Sequence, residues 1–360
     1  MDPTSLVRIP VRVLTGIQWG HPLPPDVLSL QFPGAPRVFP PILRVLRKEL
    51  PLVNQYPEIA TIDRVRWLMA RQYGLTTKNV FLGSGVDALI DLVARTFIDV
   101  GNDTLLTLPT YPCYADAVKF MGGKVIEVPL EPDFSLNLDR FMEAITPMAK
   151  LIFIANPNYP IGNLLLALPQ IETILKRFKG ILVLDEEYVD FSGVTAVSLL
   201  KKYKNLIVMR GFSKSYGISG LRLGALYACE EIIRLLDNSQ GATQVFEVNR
   251  LALAAGEAIM RNLPAGKKFV ASFMARKKAF EKDLGRIPGI VIRPTYTPFT
   301  IFSTPMPAAE FRRKMLEWKI AMKSLAICPG VPENLIMTAV PSRKDVKRVL
   351  SAVRGVMADV

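Results

Sequence analysis

Short segments of this 360-residue chain bring together side chains with chemistry to offer, and the first is Gly211-Phe-Ser-Lys-Ser-Tyr-Gly-Ile-Ser-Gly-Leu-Arg-Leu-Gly224. Lys214 stands just past an apolar run that ends at Arg210. A lysine amine becomes a nucleophile toward carbonyls when its surroundings lower its pKa. Ser213, Ser215 and Arg222 offer donors to an anion such as phosphate. The plain alternative is a lysine on a surface loop.

Leu184-Asp185-Glu-Glu-Tyr188 closes another apolar run. A carboxylate in that position is costly unless it is paired. A pyridinium nitrogen is one suitable partner, and holding it protonated makes a pyridoxal ring an electron sink. A structural salt bridge or a metal ligand would also suit Asp185, with Glu186 and Glu187 beside it. Neighbouring strand ends supply no further carboxylates, so no metal site is expected. Ala155-Asn-Pro-Asn-Tyr-Pro-Ile-Gly162 is a rigid turn after a third apolar run. Asn158 or Tyr159 could donate to a phenolate-like oxygen, or the segment is an ordinary asparagine-proline turn. Gly83-Ser-Gly-Val-Asp87 lies between a strand-like and a helical stretch. Backbone N–H groups at such a helix start bind phosphate well, although many plain turns look the same.

The elements that must position these residues are legible from periodicity. Strand patterns fall at 79–82, 104–108, 124–128, 151–155, 181–185, 206–210 and 224–228. Helical spacing falls at 62–73, 86–98, 114–121, 138–145 and 168–178. Nearly all-apolar strands alternating with helices predict an α/β fold, with a mainly parallel sheet flanked by helices. Ligands bind at the carboxyl ends of such strands, where the polar residues above cluster. A long helical region follows at 248–284, with a break expected near Pro264-Ala-Gly266. Strands at 289–293, 299–303 and 335–340 and helices at 308–318 and 344–357 then read as a smaller α+β domain. The expected division is an arm and part of the small domain at 1–45, a large domain at 46–245 and a small domain at 246–360. Prolines crowd the arm and should break any long helix there.

The net charge of +13 is scattered in short pieces, with no nucleic-acid motif or aromatic interleaving. Nucleic acid is not an expected partner. Three distant cysteines, Cys113, Cys229 and Cys328, suit a reducing, cytoplasmic setting better than a disulfide framework. No apolar run approaches the ~20 residues of a membrane helix, and the N-terminus does not read as a signal peptide.

Taken together and in this order, the segments resemble the fold-type I pyridoxal 5′-phosphate (PLP) enzymes. Within them the chain is most similar to the class-II aminotransferase branch and to histidinol-phosphate aminotransferases. Asn54-Gln-Tyr-Pro-Glu58, Leu108-Pro-Thr-Tyr-Pro-Cys-Tyr114 and Val248-Asn249-Arg-Leu-Ala252 add to the likeness. The resemblance implies that Lys214 binds PLP as a Schiff base and moves the proton at the substrate Cα. It implies that Asp185 pairs with the ring nitrogen, that Tyr188 bonds the ring 3-oxygen and that Tyr114 stacks on the ring. Ser213, Arg222 and the backbone of Gly85, Val86 and Asp87 would hold the phosphate. Tyr56 would reach the phosphate of a neighbouring subunit, making a homodimer with shared sites. The partners implied are an amino donor and an oxo-acid acceptor.

The chain also departs from that pattern. The ring-oxygen asparagine is replaced by Tyr159; Tyr159 or Asn158 could substitute, and the motif decides for neither. A hydroxyl residue that relatives carry three before the lysine, as a phosphate ligand, is Gly211. The arginine that clamps a substrate carboxylate in a Leu-Arg-x-Thr segment is Ile336, within Leu335-Ile336-Met337-Thr338. Lys323 and Arg343 are near in sequence and could hold the substrate anion instead, although solvated positions at element ends are the favoured expectation for both. His21, the only histidine, lies in a proline-rich loop and is given no catalytic role. The altered substrate side keeps two alternatives to transamination: a decarboxylase or lyase on the same fold, and a non-catalytic PLP-fold binding protein.

Overall fold

The computed structural model describes residues 6–12, 14 and 22–358, so His21 lies outside the described residues. Seven strands form the central sheet: β1 (Val80–Gly83), β2 (Asp103–Leu108), β3 (Lys124–Pro129), β4 (Ala149–Ala155), β5 (Ile181–Asp185), β6 (Leu206–Gly211) and β7 (Gly224–Tyr227). Their order is β1-β7-β6-β5-β4-β2-β3. All neighbours are parallel except β7, which runs antiparallel to both β1 and β6. Apart from the edge strand β3, the sheet is buried on both faces, which is why its central strands read as unbroken apolar runs. On β4, Ile152 and Ile154 enter the core under one helical layer, while Leu151 and Phe153 enter the core under the other.

The smaller domain has a four-stranded antiparallel sheet in the order β10-β11-β9-β8, where β8 is Val291–Arg293, β9 Phe299–Ser303, β10 Lys323–Ser324 and β11 Leu335–Ala339. Helices Ala308–Glu317 and Val346–Ala358 share its buried core. The N-terminal segment joins this domain first: Leu28–Ser29 pairs in parallel with Ile320–Ala321, and Leu30 enters the same core. A further apolar cluster joins the two parts, with Phe134, Ile161 and Tyr188 from one side and Phe299, Leu325 and Met337 among those from the other.

Some expectations need revision. The Pro40-Pro41 pair starts a helix, Pro40–Glu49, instead of preventing one. The first helical turn needs no N–H from its leading residues, and proline's fixed φ suits it. The long helical region breaks at Asn262, which separates Arg250–Arg261 from Leu263–Leu284. Ala252, Leu253 and Ile259 of the first of these helices lie in the large core. Within Leu263–Leu284, Val270 joins the large core and Phe280 the small one.

Candidate active site

The carboxyl ends of β4, β5 and β6 place the turns carrying Asn158, Asp185 and Lys214 side by side. Lys214 follows β6 directly, and the N-terminal segment runs along its loop. Ala35 N donates to Lys214 O at 2.7 Å, and Phe39 N donates to Tyr216 O at 3.0 Å.

An anion cup lies on the β1 side of this loop. Gly85, at φ +84, caps the N-terminus of helix Val86–Phe97. Arg222 reaches over it: Nη2 donates to Asp87 Oδ2 at 2.8 Å, and Nη1 donates to Ser213 Oγ at 3.5 Å. A Cβ on Gly85 would lie 2.5 Å from Arg222 Nη2, so the guanidinium can cover this turn only because it is glycine. Gly83, Gly224 and Gly211 lie in register across β1, β7 and β6. A Cβ on Gly224 would lie 2.8 Å from the Gly85 carbonyl carbon. The sequence-predicted phosphate group (Gly85, Val86, Asp87, Ser213 and Arg222) is thus brought together.

Asp185 is buried at the end of β5. Its Oδ2 accepts from Tyr114 Oη at 2.6 Å and its Oδ1 accepts from Glu187 N at 2.9 Å. Burial nonetheless pushes its carboxyl up to about 6. Glu186, buried beside it and accepting from Ala196 N, is pushed up to about 7, and Glu187 to about 8. Three raised carboxyls in a row mark a region where a cation, or a protonated ring nitrogen, would be welcome. Tyr188 packs edge-on against Phe299 at 5.6 Å.

Two expected placements are corrected. Tyr114 cannot stack on a ligand: it is 0% exposed, its ring lies flat on Phe153 at 5.1 Å, and its hydroxyl is spent on Asp185. The aromatic facing the cup is Tyr111, whose hydroxyl donates to Asp87 at 2.9 Å and whose ring meets Tyr159 edge-on at 5.5 Å. Ile336 does not face the site either. It lies in the small-domain core opposite Phe302, while Leu335 and Met337 face the cluster of Tyr188 and Phe299. An arginine there could not clamp a ligand without leaving that core.

The substrate side is filled otherwise. Asn158 is buried and its amide donates to Pro109 O at 3.2 Å, leaving its own Oδ1 without a partner. Lys323, paired across the strand with Met337, donates to Tyr159 Oη at 2.7 Å and lies 5.4 Å from that ring's centre. It is not the solvated lysine expected; Arg343 is exposed. Tyr56 is 77% exposed, with its ring on Phe246 and its carbonyl accepting from Arg250. Tyr111 and Glu187 are site residues that sequence reasoning did not assign, and the pairing of Lys323 with Tyr159 was not foreseen. For Tyr111 the signal was present, since the Pro-Thr-Tyr-Pro-Cys-Tyr segment offers two tyrosines.

The residues fit PLP. A glycine-built helix N-terminus with an arginine over it suits the phosphate, a lysine stands after β6, and a buried carboxylate of raised pKa waits at the end of β5. Among the described residues no group of acidic, histidine or cysteine side chains is arranged to hold a metal.

The sequence profile of a family described as aminotransferase class I and II matches residues 36–353. A histidinol-phosphate aminotransferase of Caldanaerobacter subterraneus subsp. tengcongensis is 30% identical over 287 residues, 79% of this chain and 80% of that one. The histidinol-phosphate aminotransferase of Clostridium acetobutylicum superposes with a TM-score of 0.83 at 19% identity, covering 93% of this chain and 100% of the other. That of Sinorhizobium meliloti, solved in complex with pyridoxal-5′-phosphate, gives 0.77 at 20% identity, covering 92% and 91%.

Proposed function

Because this chain belongs to the class I and II aminotransferases and uses PLP, we propose that it moves an amino group between an amino acid whose carboxylate docks at Lys323 and Tyr159 and a 2-oxo acid. The observation that carries this reading is the Lys323–Tyr159 hydrogen bond, a single cation set against the tyrosine that meets Tyr111 beside the cup. The rest of that side is apolar, with Ile161, Phe299, Leu335 and Met337 close by. The favoured donor therefore combines a carboxylate with an apolar side chain.

When bound, the cofactor supplies a carbonyl that captures the amine and a ring that accepts electrons. Lys214 would hold the cofactor, and its amine would serve as the base for the proton on the substrate Cα. Asp185 would pair with the ring nitrogen, which would also satisfy its own buried charge, and Tyr114 fixes Asp185 through its hydroxyl. Tyr188 would donate to the ring 3-oxygen and Tyr111 would lie against the ring. Gly85, Val86, Asp87, Ser213 and Arg222 would hold the phosphate. Lys323 and Tyr159 would fix the substrate carboxylate.

The proposed active unit is a homodimer. Leu50, Val53, Tyr56, Ile59, Trp67 and Phe246 are large, apolar and exposed, a group that a second copy would cover. Tyr56 would then reach the partner's phosphate. A protein that sediments as a monomer with full activity would contradict this role. A cytoplasmic setting suits three free cysteines, and no described helix is long and apolar enough to cross a membrane.

The test is a screen of amino donors against the cofactor-loaded protein. An accepted donor bleaches the visible absorbance and releases its 2-oxo acid in equal amount. Carbon dioxide release without bleaching would point to a decarboxylase. A spectrum unmoved by any donor would leave a binding protein.

A further inference from the structure

Gly211 ends β6, three residues before Lys214. A side chain there has no room, because its Cβ would lie 1.4 Å from Glu187 Oε2 and 2.3 Å from Glu187 Cδ. The Glu187 carboxyl thus fills the volume where relatives carry the phosphate-binding hydroxyl. The side chain missing at position 211 and the carboxyl at position 187 share one volume in space. Glu187 is set by its own backbone, since its N–H donates to Asp185 at 2.9 Å. Its carboxyl lies over the strand end whose register partner, Gly224, backs onto the Gly85 turn. It therefore stands beside the phosphate cup.

We propose that Glu187, as the uncharged acid, donates a hydrogen bond to the cofactor phosphate in place of the hydroxyl missing at position 211. A protonated carboxyl has an O–H to give, as a hydroxyl does, whereas an ionised one only accepts and repels a phosphate dianion. The charged groups facing it are Lys214 and Arg222, which favour ionisation, and Asp185 and Asp87, which oppose it. Burial outweighs the two cations and pushes the acid up to about 8. It is neutral below that pH and ionised above it. A nearby phosphate dianion raises it further. The cofactor should be held firmly near neutrality and less firmly as pH rises. This rests on the cofactor alone and not on the donor proposed above.

The experiment measures binding of PLP and of pyridoxal, which lacks the phosphate, to cofactor-free protein from pH 7 to 9.5. The affinity ratio of the two isolates the phosphate contribution from the chemistry at Lys214. In the native chain the ratio should fall about tenfold or more across this range, the loss expected for one charge-assisted hydrogen bond. Glu187→Gln cannot ionise and should hold a flat ratio. Glu187→Ala with Gly211→Thr restores the hydroxyl and should also be flat, with a ratio at pH 7 near the native one. Gly211→Thr alone should lower the ratio by forcing Glu187 aside. A flat native ratio, or a fall of equal size in Glu187→Gln, would overturn the proposal. So would a Gly211→Thr single variant that matches the double one.

Discussion

Replacing Lys323 with Met removes the cation that the small-domain sheet turns toward Tyr159 while keeping most of the side chain's apolar length. Two terms are lost. The hydrogen bond to Tyr159 Oη at 2.7 Å involves a charged donor, and the ammonium would pair with the substrate carboxylate. A hydrogen bond to a charged group contributes about 1.5–3 kcal/mol. With Lys323 only partly buried, solvent screening places the loss toward the lower end. The expected fall in kcat/KM for a carboxylate donor is then about 10- to 50-fold at 1.4 kcal/mol per decade. Most of it should appear in KM, because the carboxylate is bound equally in the ground and transition states. Steady-state kinetics with an amino acid and with the matching amine that lacks a carboxylate make the assay. The amine should react poorly with the native enzyme and no worse with Lys323→Met. Lys323→Arg should recover part of the loss. An equal fall for both donors, or no fall for the acid, would refute the assignment of Lys323 as the carboxylate anchor.

Asp185→Asn should lower kcat by roughly 10²–10³, as removal of a single charge-stabilising group does elsewhere, with donor KM little changed; near-normal turnover would contradict the ring-nitrogen role. Tyr114→Phe leaves Asp185 short of one partner in a buried setting, so thermal or denaturant unfolding should show a loss of about 1–3 kcal/mol, with cofactor affinity less affected than in Tyr111→Ala. The carboxyls of Asp185, Glu186 and Glu187 are all raised on folding, to about 6, 7 and 8. Each therefore contributes stability that is complete below the unfolded pKa near 4 and is lost as pH rises through the folded value. Unfolding of the cofactor-free protein should accordingly show Glu187→Gln gaining on the native chain between pH 5 and 9; a constant difference would remove that linkage.

The large domain was legible because its strands are buried on both faces and read as continuous apolar runs. The bounds of Ile181–Asp185 match the expectation at both ends. The two-residue strands Leu28–Ser29 and Ile320–Ala321 were not legible, since two residues carry no period. Helix Pro40–Glu49 was hidden by its own opening prolines. In the site, Lys214, Asp185 and Arg222 stood at strand ends and in a loop where their types already implied an anion and a ring. What sequence could not supply was phase. Tyr111 and Tyr114 are three apart, and only the packing of the latter on Phe153 decides which one faces the cup. A shift of one residue along β11 separates Ile336, in the core, from Met337, beside Lys323. The Glu187–Gly211 exchange joins residues 24 positions apart at the ends of neighbouring strands, Glu187 just past one and Gly211 closing the other, which no linear spacing reveals.

The most direct test of the account is reductive trapping. Borohydride treatment of the cofactor-loaded protein fixes the pyridoxyl group to the amine that holds it, and peptide mass mapping locates that amine. The account predicts a single modified peptide, with the added mass on Lys214, and no modification in Lys214→Ala. A pyridoxyl group on any other lysine, or none at all in protein that shows the visible band, would contradict it.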